Sequence, residues 1–155
     1  MDFKRLFSAA GMLVLPGWLL LVFLPRWRWT TAFVTSWLIP AILAATYLAL
    51  FVMYFGSDPN GFSSFNTLAG VKSLFQHDGL LLGGWIHYLC FDLFIGSWQV
   101  RDAQRLGVHH LLVIPCLALT FMMGPVGLLA YLVLRLVVRG QVLIEESPRN
   151  AQSAW

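Results

Sequence analysis

Phe33-Val34-Thr35-Ser36-Trp37-Leu38-Ile39-Pro40-Ala41-Ile42-Leu43-Ala44-Ala45-Thr46-Tyr47-Leu48-Ala49-Leu50-Phe51-Val52-Met53-Tyr54-Phe55 runs without a single charged side chain. A helix needs about 20 apolar residues to cross the hydrocarbon core of a bilayer, and this stretch supplies them. It ends at Gly56-Ser57-Asp58-Pro59-Asn60-Gly61, a cluster of residues that favour turns. Pro40 lies inside the run and predicts a kink there.

The rest of the chain supports the same solvent. Of the 155 residues 59% are hydrophobic and only 11% charged, whereas soluble domains carry about 25% charged residues. A single small domain has too much surface for its volume to hide this excess in an aqueous core. Lipid is then the medium in which these side chains are buried.

Upstream, Leu6 to Leu24 predicts a first span, which stops where Pro25 removes a backbone donor and Arg26 and Arg28 demand water. Trp27 and Trp29 mark the interface there. The stretch is longer than the core of a secretory signal and lacks small residues after it, so it is read as a retained helix. No Arg- and Ser-rich transit segment precedes it, which leads to the expectation of a bacterial-type protein or an already processed one.

Downstream, Phe62, Phe65, Leu68, Val71, Leu74 and Phe75 recur at three- and four-residue spacing among polar residues. That pattern predicts an amphipathic helix, either lying on the membrane surface or closing the bundle as a lid. A third span is expected from Gly79 to Gln99, and a fourth from His109 to Leu136, bent by Pro115 and Gly124-Pro125. Beyond Arg139 the residues Gln141 to Trp155 form a polar tail. The expected fold is therefore all-α: an integral membrane bundle of four transmembrane helices, residues 1–140, with a short amphipathic helix between helices 2 and 3, and a tail, residues 141–155.

Four spans would put both termini on one side, with Lys4, Arg5, Lys72, Arg135, Arg139 and Arg149. Arg26, Arg28, Arg101 and Arg105 would stand opposite, a bias that predicts cytoplasmic termini. The net charge of +3 comes from scattered single residues and pairs, with no basic stripe for nucleic acid. Cys90 and Cys116 both lie in apolar runs, where a thiol acts as a small hydrophobe.

Candidate chemistry concentrates in Trp85-Ile86-His87-Tyr88-Leu89-Cys90-Phe91-Asp92-Leu93-Phe94-Ile95-Gly96-Ser97-Trp98. An ionised Asp at bilayer depth costs about 2.5–3.5 kcal/mol, so Asp92 must face the bundle interior, find a donor or carry a proton. Tyr88, Asp92, Gly96 and Gln99 share one helical stripe. His87 precedes Asp92 by five residues, which turns it about 140° away. Two readings stay open for Asp92 and His87: they fix helix packing by hydrogen bonds, or they contact a ligand or catalyse.

His109 and His110 open the fourth span, close to Arg101, Asp102 and Arg105. As neighbours on a helix they diverge by about 100° and make a poor metal pair, so an interfacial role for His109, His110, Arg101 and Asp102 is expected, with no metal. A single haem ligand from His87 or His109 is the competing use, although no haem-attachment spacing is present. The Gly83-Gly84 pair sits in an apolar helix and is no phosphate loop. Seven Trp and twelve Phe serve an interfacial belt or would suit a flat, elongated apolar ligand, with Trp85, Tyr88, Phe91 and Gln99 as candidate contacts.

Several separated motifs agree with one family. Leu15-Pro16-Gly17-Trp18, Phe23-Leu24-Pro25-Arg26-Trp27, Trp85 through Trp98, Pro115-Cys116 and Leu119-Thr120-Phe121-Met122-Met123-Gly124-Pro125-Val126-Gly127-Leu128-Leu129 resemble the abscisic-acid-deficient-four family over about Leu6 to Leu136. Its plant members are required to make neoxanthin from violaxanthin in plastids. The resemblance implies a multispanning membrane protein, here of bacterial type in an inner or photosynthetic membrane, linked to carotenoids. The implied activity is redox-neutral isomerisation of a carotenoid epoxide, with Asp92 as acid, His87 as base, and no cofactor required beyond bound carotenoid. A rival from a different class is a non-catalytic accessory subunit that packs against a larger membrane complex such as a photosynthetic pigment–protein complex.

Overall fold

The computed structural model describes residues 2–56, 61–140 and 142. Six α-helices account for most of them: α1 (Phe3–Phe23), α2 (Ile39–Phe55), α3 (Leu68–Leu74), α4 (Asp78–Leu106), α5 (His110–Met123) and α6 (Pro125–Arg139). No strand occurs among the described residues. The expected tail from Gln141 onward and the turn residues 57–60 lie outside the described residues, Val142 excepted.

Among the described residues three helical stretches are long and apolar enough to cross a membrane: Phe3–Phe23, Thr30–Phe55 and Asp78–Leu106. The chain is an all-α protein of membrane-compatible helices, and each has a local cause. Asp2 caps α1 by accepting from the Arg5 N–H at 3.2 Å, and Pro25 follows the last turn. The chargeless run continues backward into a segment, Thr30–Leu38, wound with i to i+5 hydrogen bonds. This wider winding takes up the fault expected at Pro40, which has no N–H to give. Thr35 Oγ1 donates to the Thr30 carbonyl at 2.9 Å and Ser36 Oγ to the Thr31 carbonyl, so side chains occupy carbonyls that the widened turn leaves available.

The third helix outruns its expected end. Arg101, Asp102, Gln104 and Arg105 continue α4 to Leu106, where Gly107 adopts φ +67 and closes the helix on the Ala103 and Gln104 carbonyls. That left-handed cap is the ordinary reason for a glycine at this position.

Two expectations are corrected. The segment after α2 is not one amphipathic helix but a 3-10 turn, Gly61–Asn66, and the short α3, broken at Thr67, whose side chain caps α3 by accepting from the Gly70 N–H at 3.0 Å. A Cβ on Gly70 would overlap the Ser64 backbone, so the two pieces fold tightly on each other.

The larger correction concerns the fourth span. It is not a continuous crossing: at Gly124 (φ +43) the chain turns back, and Pro125 starts α6. Gln99 meets both Thr120 of α5 and Gly127 of α6; farther on, Tyr131 and Arg135 reach Asp102, and Arg139 reaches the Gly107 carbonyl. Residue numbers therefore rise together along α6 and α4, so α6 returns to the end of the bundle from which α5 set out. The arms close because Gly127 has no side chain: a Cβ there would overlap the Thr120 backbone. Gly-Pro did not bend a span; it made the tip of a re-entrant hairpin.

The first residues of α1 and the end of α6 lie at opposite ends of the bundle. Phe3 packs on Tyr54, beside the start of α4, whereas Arg139 lies at the other end, beside Gly107. The core that holds these pieces runs through Val14, Leu21, Leu43, Leu50, Ile86, Leu93, Val113, Leu117 and Tyr131, all nearly inaccessible. The helices meet closely where side chains are small. Gly17 lies against Ile39 and Leu93, and a Cβ on Gly96 would stand 2.8 Å from the Trp18 ring.

Candidate functional site

Asp92 lies midway along α4, fourteen residues from either end of Asp78–Leu106, which places it near the bilayer centre if α4 spans symmetrically. It is buried, as the cost of a carboxylate at that depth requires. The hairpin tip meets it: a Cβ on Gly124 would stand 2.8 Å from its Oδ1. Its buried Oδ2 accepts no hydrogen bond. One turn earlier the Tyr88 hydroxyl neighbours the carboxylate and donates to the Phe121 carbonyl at 3.4 Å.

Of the polar stripe expected on α4, Tyr88, Asp92 and Gln99 face the hairpin, whereas Gly96 lies against Trp18 and Leu21 of α1. Beyond Asp92 and Gly96, Gln99 is fully buried; its Nε2 donates to Thr120 Oγ1 at 3.0 Å and to the Gly127 carbonyl at 3.3 Å. Thr120 also donates to the Cys116 carbonyl at 2.8 Å. One side chain therefore ties both arms of the hairpin to α4 just below the Asp92 carboxylate. Trp85 lies about two turns above the carboxylate, against Phe7 and Tyr88 at ring distances of 5.5 and 5.3 Å.

His87 is not part of this cluster. Its ring packs against Tyr47 and Phe91, with centroids 5.7 and 4.6 Å apart, and lines an apolar cleft of about 250 Å³ between α2, α3 and α4. Asp92 and His87 occupy different sectors of α4, as their five-residue spacing implied. Phe91 belongs with His87, while Tyr88, Trp85 and Gln99 belong to the Asp92 side or its borders.

At the Gly107 end the four residues expected at an interface divide. Arg101 is exposed. His109 is the residue before α5 and caps it with its carbonyl, which accepts from the Leu112 N–H at 3.0 Å, and not with its side chain, while His110 Nε2 lies 3.0 Å from the Val22 carbonyl and ties α5 to α1. Both histidines, with Arg26 and Gln104, line a cavity of about 240 Å³. Asp102 does something else. It is buried and holds Arg105 Nη2 on Oδ1 at 2.6 Å, with Arg135 Nε at 3.0 Å and the Tyr131 hydroxyl at 2.8 Å on Oδ2. Asp102 holds the fold together here, because α6 brings back a cation that must be neutralised inside the protein.

Sequence reasoning missed Arg135, Tyr131, Thr35 and Ser97. Thr35 Oγ1 is 2.9 Å and Ser36 Oγ 2.7 Å from Ser97 Oγ, a hydroxyl cluster joining the widened turn to α4. A usable signal existed for Arg135, since an Arg within Tyr131-Leu132-Val133-Leu134-Arg135-Leu136-Val137-Val138 needs a carboxylate partner. Serine and threonine carry no such signal. Among the described residues no group of three His, Cys, Asp or Glu side chains comes together as a metal site.

The order of these features along the chain matches one family model, described as ABA4-like (ABA DEFICIENT 4-like), over residues 5–131. The chain belongs to the ABA4-like family. Comparison with curated proteins and with solved structures returned no match. The family match runs from the first turns of α1 to Tyr131, and so includes the helices that surround Asp92, the hairpin tip, and the Tyr131 contact to Asp102.

Proposed function

We propose that this integral membrane protein acts on, or holds, a carotenoid within the bilayer, with Asp92 as the group that meets the ligand's oxygen. Family membership supports the carotenoid link. The observation that carries the residue assignment is the Asp92 carboxylate, held at the middle of α4 against the hairpin tip with one buried oxygen accepting no hydrogen bond. A buried acceptor left open is costly and is retained where something else uses it.

As chemistry, the reading is a redox-neutral isomerisation of a carotenoid epoxide. The Asp92 carboxyl gives its proton to the epoxide oxygen as the ring C–O bond breaks. The resulting carboxylate then takes a proton from a neighbouring carbon as the new double bond forms. The carboxyl ends as it began, and substrate and product are isomers. Tyr88 neighbours the carboxylate and orients it. His87, on another face of α4, is replaced as base by the same carboxyl.

Expression of the protein in a host that accumulates epoxy-carotenoids, with pigment chromatography, tests this. Asp92→Asn is expected to lower product formation at least 100-fold, the usual scale for a general acid. Unchanged pigment composition on Asp92→Asn would refute the assignment.

The separation of His87 from Asp92 favours a second reading, that of a non-catalytic subunit in a larger pigment–protein complex. Gentle extraction and native mass analysis distinguish the two, since the enzyme migrates alone or with its own copies and the subunit migrates with pigment-bearing partners.

A further inference from the structure

The cavity of about 240 Å³ at the Gly107 end is built from three pieces of chain: Arg26 in the turn after α1, Val100 and Gln104 of α4, and His109 and His110 at the start of α5. Two hydrogen bonds fix its walls. Gln104 Nε2 donates to the Pro25 carbonyl at 2.7 Å, and His110 Nε2 lies 3.0 Å from the Val22 carbonyl. Val100 gives it a buried apolar side, whereas Arg26, Gln104 and His109 are exposed. Trp27 and Trp29 follow Arg26 directly and are exposed as well, which sets the cavity at the level of lipid headgroups and not in the hydrocarbon.

Charge at this end is unbalanced. Among the described residues Asp102 is its one carboxylate, and Arg105 and Arg135 already hold it. Arg28 lies over the Trp29 ring and Arg139 donates to the Gly107 carbonyl; Arg26 and Arg101 pair with no carboxylate among the described residues. A guanidinium presents a fork of donors that matches a phosphate, and a neutral imidazole such as His109 adds one more N–H. The start of α5 carries no side-chain cap, so its first N–H groups and the positive end of its dipole favour an anion in the same place. The volume is below the ~300–1,000 Å³ that encloses a whole drug-sized molecule, and suits a headgroup whose chains stay outside. Phe23 and Leu24 at the end of α1, with Leu111 and Leu112 at the start of α5, are exposed apolar side chains. They offer those chains a surface that a free phosphate ion would not use.

We infer that this cavity binds the headgroup phosphate of an anionic glycerophospholipid, held by the Arg26 guanidinium and the His109 imidazole, with the acyl chains running along α1 and α5. Basic pockets between helices at a membrane surface draw such lipids. Bound there, the headgroup joins the ends of α1, α4 and α5 and stabilises the folded protein by mass action. The inference rests on neither Asp92 nor a carotenoid.

The full chain in dodecylmaltoside is titrated with phosphatidylglycerol and with phosphatidylcholine of the same acyl chains, and bound lipid is counted by native mass spectrometry. One phosphatidylglycerol is expected to bind about tenfold more tightly than phosphatidylcholine, the scale of one charged hydrogen bond. Arg26→Gln combined with His109→Gln should remove that preference, and Arg26→Lys should keep part of it, retaining the charge without the fork. Arg28→Gln removes the same charge outside the cavity and should change binding less than about twofold. These side chains are exposed, so the variants should melt with the wild type. Equal binding of the two lipids by wild type, a preference that survives in the double variant, or an equal loss in Arg28→Gln would overturn the inference. Sodium phosphate should displace the lipid no better than sodium chloride of the same ionic strength; selective displacement would assign the cavity to the free ion instead. A preference that emerges only with Glu145→Gln and Glu146→Gln would assign it to the chain's own carboxylates. Asp92→Asn should bind the lipid as wild type does, so loss of turnover in that variant and loss of lipid in the others report on different sites.

Discussion

Replacing Asp102 by Ala should be among the most damaging single changes in this protein. Its carboxylate holds Arg135 at 3.0 Å, Arg105 at 2.6 Å and the Tyr131 hydroxyl at 2.8 Å, and the Asp102 and Arg135 side chains are 3% and 1% exposed. Removing one partner of such a pair leaves an uncompensated buried charge and costs about 3–5 kcal/mol. Arg105 contributes little of this, because its side chain is 32% exposed and water screens it. For a chain of this size each kcal/mol moves the melting temperature by roughly 2–4 °C, so a loss on the order of 10 °C is expected in dodecylmaltoside micelles. Asp102→Asn combined with Arg135→Met removes both charges and should recover most of the deficit, since the desolvation penalty goes with the pair. The assay is a double-mutant cycle followed by thermal unfolding. Strictly additive losses, with the double variant at least as unstable as the sum of the singles, would mean that Arg135 does not depend on Asp102. The hairpin would then be held to α4 by something other than this ion pair.

Other expectations follow from the same geometry. Gly127→Ala should destabilise the hairpin by several kcal/mol, on the scale of other overpacked cores, because its Cβ would overlap the Thr120 backbone; Gly11→Ala, with nothing near its Cβ, should be neutral in the same melting assay. Thr35→Val should cost about 1 kcal/mol through its lost bonds to Ser97 and the Thr30 carbonyl, and a melting temperature equal to wild type would argue against the hydroxyl cluster. Because α6 turns back, Lys4→Cys and Arg139→Cys should react with an impermeant maleimide from opposite sides of sealed vesicles. Arg26, Arg28, Arg101, Arg105, Arg135 and Arg139 gather at the Gly107 end, against Lys4, Arg5 and Lys72 at the other, so the Gly107 end is expected to face the cytoplasm. Labelling of both cysteines from one side would restore a fourth crossing.

The sequence alone determined the solvent and the helical class. Leu6–Leu24 and Phe33–Phe55 are long and apolar enough for hydrocarbon, and in hydrocarbon a backbone must satisfy itself as a helix. It also separated Asp92 from His87, because the angle between two positions on one helix is fixed by their spacing. A helix end was legible at Pro25 but not at Gly107, because the polar residues Arg101–Arg105 continue α4 past the apolar run. Gly124-Pro125 could be recognised as a break but not as a reversal. A bend and a turn use the same two residues, and the choice rests on whether Gly127 can close on Thr120 and whether Arg135 finds Asp102. Those contacts join positions far apart in the chain, and their free energy exists only once α4, α5 and α6 are packed. That packing, and no local preference, placed the hairpin tip against Asp92 and Arg139 at the end of the bundle opposite Phe3.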